Sequence, residues 1–246
     1  AADGGRTLKA WGKELRLDGL GLPTRILSTG NMGKWPKGRA GKPDVLAAAV
    51  TLAGTSDGKA VAWQSAAAPT IVKAADHVIH LRGECVAGGV RVTAETRLEQ
   101  DGAYFVTLTL ASETQGKEAR LDTLDLRIPL RAEIAQFVSA HGTPGYSSFY
   151  MNALPEGNGV VWDATRCGAP QVTRGHFVPQ IWIGNEHRGL AWYADNDRGW
   201  TPIDGRPAQE IVRDGDAAVL VLHLIQEPVR LDAPRALAFV LHPTPI

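Results

Sequence analysis

The side chains of this 246-residue chain that could do chemistry concentrate between His176 and Trp200. Three of the seven tryptophans fall there, Trp182, Trp192 and Trp200, with Tyr193 beside them. Asn185, Glu186, Arg188, Asp195 and Asp197 supply polar groups in the same stretch. Flat aromatic faces stack on the C–H surfaces of sugar rings, while carboxylates, amides and guanidinium groups hydrogen-bond hydroxyls. An apolar platform with a few placed polar groups is the make-up of a small-ligand site. The three tryptophans and these five polar residues are therefore the expected substrate-binding set. The competing reading makes the tryptophans core and the charges turn caps, because Trp is mostly buried on average.

Bond cleavage asks for more. Glycoside hydrolysis uses two carboxyl groups about 5–9 Å apart. Glu186 sits in a turn and Asp195 at the far end of the return strand, on the order of 20 Å away if the strand is regular. Asp195 and Asp197 alternate onto one side, where paired carboxylates meet a cation or an Arg. The downstream ligands of a calcium loop are missing. The chain has no Gly-x-Ser-x-Gly elbow and no dinucleotide fingerprint or phosphate loop. His77 and His80 face opposite sides of a strand. His223, inside an apolar run, reads as a hydrogen-bonded core histidine. His141 and Tyr146 lie in a loop from which they could reach a ligand, and Trp35 lies in a basic loop read as solvated surface. No catalytic residue, metal or cofactor is assigned.

The elements that must position this segment are strands. Phe177 to Ile183 and Gly189 to Ala194 read as a hairpin closed by residues 184–188. Val90 to Glu99 alternates apolar and charged residues, and Asp101-Gly102 then signals a tight turn into Tyr104 to Leu110. Leu124, Leu126, Ile128 and Leu130 form an inward row, and Pro129 suggests an edge strand or its end. Ala217 to Ile225 and Arg235 to Leu241 are apolar at nearly every position, as central strands covered on both sides would be. Asp57-Gly58, Asn158-Gly159 and Asp214-Gly215 mark more turns. Asp44 to Leu52 fits a capped helix or a strand equally well. The segment 139–155 reads as a long loop that could join halves 1–140 and 156–246 of a single domain, 1–246. The class is all-β, an antiparallel β-sandwich.

Lys plus Arg and Asp plus Glu both number 26, a balance that argues against nucleic acid and against a polybasic membrane patch. No stretch approaches the roughly 20 apolar residues of a membrane helix. Cys85 and Cys167 are too few for a disulfide framework; one bridge or two buried thiols both remain open. The chain begins Ala-Ala-Asp-Gly-Gly, the kind of end that signal-peptide cleavage leaves, so a secreted or periplasmic location is expected.

The stretch from Phe177 to Trp192, continued by Asp197 to Trp200, resembles the β-sandwich region of bacterial glycoside hydrolase family 123-like proteins. Leu124 to Leu130 matches in character, and Leu237 to Pro245 looks like the last sandwich strand before that family's barrel. The likeness is good over Leu121 to Ile246 and loose before it. It implies a supersandwich, galactose-mutarotase-like fold in an extracytoplasmic protein that acts on glycans. It also implies that the catalytic carboxylates belong to a (β/α)₈ barrel, whose alternating pattern is absent here. The expected role is a non-catalytic module that binds a polysaccharide or glycan, or supports an adjacent catalytic barrel. Two alternatives stand beside it: a hydrolase or lyase using His176, Glu186, His187 or Asp195, and a self-associating structural subunit.

Overall fold

Alternation of apolar and polar residues gives every strand an inward and an outward row, and strands make up nearly all the ordered elements. The structure, a computed structural model, describes residues 3–29, 44–65, 67–114, 116–141, 149–167 and 176–245. The first strands are β1 (Thr7–Ala10), β2 (Lys13–Leu17), β3 (Pro23–Ser28), β4 (Thr51–Ser56), β5 (Lys59–Ala60) and β6 (Thr70–Ala75). The long strands β7 (Val78–Ala87), β8 (Val90–Glu99) and β9 (Tyr104–Ser112) follow, then β10 (Arg120–Leu121) and β11 (Thr123–Arg131). Next come β12 (Phe137–His141), β13 (Phe149–Ala153), β14 (Gly159–Asp163), β15 (Gln180–Gly184) and β16 (Gly189–Tyr193). The chain ends with β17 (Gln209–Asp214), β18 (Ala217–Ile225), β19 (Val229–Arg230) and β20 (Arg235–Thr244).

Two large sheets result. The front sheet has nine strands in the order β13-β12-β15-β16-β20-β9-β8-β7-β6. The back sheet has six, in the order β14-β17-β18-β11-β4-β5. Their pairings are antiparallel, and the expected all-β sandwich is the architecture observed. Leu124, Leu126 and Ile128 of β11 are fully buried and share one hydrophobic cluster with Val92, Ala94, Val106 and Leu108 of β8 and β9. Each such side chain contributes about 1.5–3 kcal/mol by leaving water. No helix among the described residues is long and apolar enough to cross a membrane.

Several local expectations change. Residues 44–52 form no helix; Asp44 and Leu46 make isolated bridges before β4 begins. The segment 139–155 is not a loop throughout, because it holds the ends of a β12–β13 hairpin. Strands from 1–140 and from 156–246 pair directly, β11 with β18 and β9 with β20, so the two stretches do not form separate halves. Pro129 is not on an edge strand: β11 lies between β18 and β4. Pairing with β4 stops at Arg127, so the missing N–H of Pro129 falls beyond that ladder. β20 is central, and its outward row is exposed at Ala236 and Ala238 but buried at Val240 and His242. Cys85 and Cys167 are buried free thiols. Burial, aided by nearby carboxylates, pushes them up to about 12 and about 11 respectively, so neither is a thiolate at neutral pH.

On the outer side of the back sheet, His223 is not core. Its Nδ1 lies 2.8 Å from Asp125 Oδ1 and its Nε2 lies 3.5 Å from Glu210 Oε2. Burial works to lower its pKa, but the Asp125 hydrogen bond and the charges of Asp125 and Glu210 outweigh it, and the imidazole is held above 6.5. A folded-state value above the unfolded one means that protonation favours the fold. The stabilisation is full below pH 6.5 and is lost as pH rises through the raised value. Accordingly, urea unfolding should show His223→Gln costing more at about pH 5.5 than at about pH 9; equal losses at both would refute the linkage. Inside the sandwich, the buried Tyr104 hydroxyl donates to Gly21 O at 2.7 Å. Tyr104→Phe should lower the unfolding free energy by about 1–3 kcal/mol, the cost of leaving a buried carbonyl unpaired.

Candidate functional site

The outward rows of the front sheet face away from the core, and strand register lines them up across the sheet. His80 stands opposite Arg97, Arg97 opposite Phe105, and Phe105 opposite Val240. Val240 in turn stands opposite Tyr193, Tyr193 opposite Gln180, and Gln180 opposite His141. A neighbouring row runs Arg82, Glu95, Thr107, Ala238. On the other side a row runs His242, Ala191, Trp182, Ser139.

Two of the clefts among the described residues border this face. One, of about 440 Å³, lies between His80, Arg82, Glu95, Arg97 and Phe105. The other, of about 180 Å³, is bounded by Phe105, Thr107, Tyr193, Asp195 and Ala238. Phe105 and Thr107 border both, so the two clefts lie side by side across the strands. The Arg97 guanidinium lies 4.0 Å from the centre of the Phe105 ring, a cation–π contact, and 3.2 Å from Glu99. Arg82 and Glu95 face each other in register, and neither has a hydrogen-bond or ion-pair partner among the described residues. Burial, with the charges of Asp101 and Glu99, pushes the Tyr193 phenol up, so its hydroxyl stays protonated and can both donate and accept.

The expected binding set is divided by this geometry. Trp182 is on the open face. Its Nε1–H donates to Thr244 Oγ1 at 3.0 Å, and its ring lies over the Gly184–Gly189 pair. A Cβ on Gly184 would come within 2.3 Å of its six-membered ring, and one on Gly189 within 2.8 Å of its Nε1. The indole is half-buried, so part of the ring still meets solvent. Trp192 and Trp200 are core instead, 0% and 7% exposed, and cannot stack on a ligand. They pack with Phe177 at centroid distances of 6.1 and 5.2 Å in edge-to-face geometry. The reason is parity: Trp192 pairs with Ile181 on the inward row, whereas Trp182 pairs with Ala191 on the outward one.

The polar residues divide too. Asn185 shapes the turn: its Oδ1 accepts the N–H groups of His187 and Arg188 and its Nδ2 donates to Glu133 O. Arg188 is 5% exposed and out of a ligand's reach. Glu186 is exposed in the same turn, and regular β15–β16 pairing keeps it at the opposite end of the hairpin from Asp195. Asp195 borders the smaller cleft, while Asp197 is in a turn whose carbonyl accepts the Trp200 N–H. Of the set, then, only Trp182 and Asp195 reach the face. Trp35 and Tyr146 lie outside the described residues.

Phe105, Arg97, Arg82 and Glu95 were missed as site residues. The signal existed: Phe105 is an aromatic residue in the polar row of its strand, next to Thr107. The carboxylates that line the two clefts are Glu95 and Asp195. Glu95 belongs to β8 and Asp195 to the segment after β16, with β9 and β20 between those two strands. Among the described residues no three His, Cys, Asp or Glu side chains gather to hold a metal.

A family model described as Glycoside hydrolase 123, third domain, matches residues 3–203. The match takes in the N-terminal strands, where the likeness read from sequence was loose, and stops before 237–245. No curated protein matches the chain. Among solved structures, a protein of Escherichia coli K12 with a provisional aldose 1-epimerase assignment is similar at a TM-score of 0.49 and 13% identity, over 98% of each chain. An alpha-galactosidase from Lactobacillus brevis is similar at 0.49 and 8% identity, over 97% of this chain and 39% of that one. A protein of Synechocystis sp. PCC 6803 is similar at 0.45 and 8% identity, over 94% and 91%. With most of its length under one family model, the chain belongs to the glycoside hydrolase 123 third-domain family.

Proposed function

We propose that this chain is a non-catalytic sandwich module that binds carbohydrate on the open face of its front sheet, outside the cytoplasm, and so presents a glycan to a neighbouring catalytic domain. Membership of a glycoside hydrolase domain family supports the module reading. The observation that carries carbohydrate binding is the seat of Trp182. Two facing glycines make room for the indole on the sheet, and the Thr244 hydroxyl holds its N–H. A large aromatic ring kept partly in water, at the cost of two residues without side chains, is a platform for the C–H face of a sugar. Assembly through open strand edges meets an obstacle, because edge strand β6 carries a register shift at Val72 and the charge of Lys73; both discourage strand pairing.

Glycan-array screening followed by calorimetry tests the reading. Trp182→Ala should weaken binding at least tenfold while the unfolding midpoint stays near that of the parent. Binding that ignores Trp182→Ala would refute it. Trp192→Ala should behave differently, lowering the unfolding free energy by about 3–5 kcal/mol as a large core truncation does.

A further inference from the structure

We propose that the open face takes a linear, uncharged oligosaccharide laid across the strands, rather than a single sugar, and that the Phe105 cleft is the second contact of that chain. The inference rests on the reading of this face as carbohydrate-binding and adds the length and charge of the ligand.

Length follows from strand order. Trp182 is on β15 and Phe105 on β9, with β16 and β20 between them. Three strand spacings put the two rings roughly 14 Å apart across the sheet, farther than one pyranose ring reaches. The outward positions between them are Ala191 and Tyr193 on β16 and His242 and Val240 on β20, and the row continues past Phe105 to the exposed Ala238 and Ala236. Tyr193 stands along this path with a hydroxyl able to donate and accept. The smaller cleft takes in Tyr193, Val240 and Phe105 on this path, and the larger adjoins it at Phe105 and Thr107.

Charge follows from the cleft. Arg82 offers donors and Glu95 acceptors, directly opposite each other and without other partners among the described residues. Arg97 is already matched by Glu99 at 3.2 Å. The four ionised groups cancel. Adjacent hydroxyls on a neutral ring satisfy this pair at once, one accepting from the Arg82 guanidinium and one donating to the Glu95 carboxylate. A uronate or sulfate would be set against Glu95, and an ammonium group against Arg82. Arg97 covers one face of the Phe105 ring, 4.0 Å from its centre, so sugar C–H groups would meet this ring at its edge or other face.

Calorimetry with ladders of neutral gluco-, manno- and galacto-oligosaccharides, from monosaccharide to hexasaccharide, tests this, alongside uronate ladders of equal length. For the ladder that binds, affinity should rise at least tenfold between disaccharide and pentasaccharide, and the uronate ladder should bind at least tenfold more weakly. Phe105→Ala should abolish the gain with length and leave disaccharide affinity unchanged, whereas Trp182→Ala weakens every member. Glu95→Gln and Arg82→Gln, both at exposed positions, should reduce the length gain with no change in unfolding midpoint, which covers the case of a poorly folded Phe105 variant. Full affinity at the mono- or disaccharide, a length gain that survives all three cleft variants, or a preference for the uronate ladder would overturn the inference while the Trp182 effect stands. No binding by any ladder, or indifference to Trp182→Ala, would instead overturn the carbohydrate reading beneath it.

Discussion

Burial of the inward rows of the two sheets against each other is the constraint from which the rest of the molecule follows. Leu124, Leu126 and Ile128 are wholly removed from water, as are Val92, Ala94, Leu108 and Leu110 across the interface. A slip of one residue in β11 would place Leu126 in solvent and Arg127 in the core, so register is held by several kcal/mol at each strand. Once the inward row is set, the outward row has no freedom of its own. His80, Arg97, Phe105 and Tyr193 share a line on the front sheet because Leu81, Leu98, Tyr104 and Trp192 must be inside.

Small residues then decide what the outward row can become. On most strands bulky outward side chains would fill the face. Here two alanines on β20 keep the face open beside Thr107 and Thr109, and the Gly184–Gly189 pair lets one indole lie along the sheet. The same hairpin uses its tryptophans for opposite ends. Trp192 joins Phe177 and Trp200 as an inner anchor, and that rigidity underneath is what allows Trp182 to be held at the surface. A buried amide completes the anchor: Gln209 exchanges hydrogen bonds with both backbone groups of Val178, tying the lead-in of β15 to the back sheet.

Charge is handled in pairs. Arg91 with Glu84, Arg97 with Glu99, and Arg25 with Asp44 each neutralise locally, in keeping with a chain whose acidic and basic residues are equal in number. The more exposed pairs, Arg91–Glu84 and Arg97–Glu99, add little stability; their effect is to leave few strong fields on the surface. Arg82 and Glu95 depart from the pattern, facing each other across the strands in the cleft of about 440 Å³ with no side-chain partner among the described residues. His223 departs in the other direction, bridging two carboxylates on the other sheet.

The sequence by itself determined the parity of each long strand, and with it the sandwich, the core rows and the hairpin turns at Asp57-Gly58, Asp101-Gly102 and Asp214-Gly215, because alternation and turn chemistry are local. It also held enough to place Trp182 outward, between two inward isoleucines, and to flag Phe105 as an aromatic among threonines. Neighbouring strands were another matter. Phe105 meets Val240, Asp125 meets His223 and Gly184 meets Gly189 through pairings that join distant or opposed segments. Sequence proximity gathered Trp182, Trp192, Arg188 and Asp197 into one apparent site, and folding separated them. Only the tertiary structure could decide which groups face the same water, since that depends on strand order, and strand order is set by the summed burial of whole sheets rather than by any one segment.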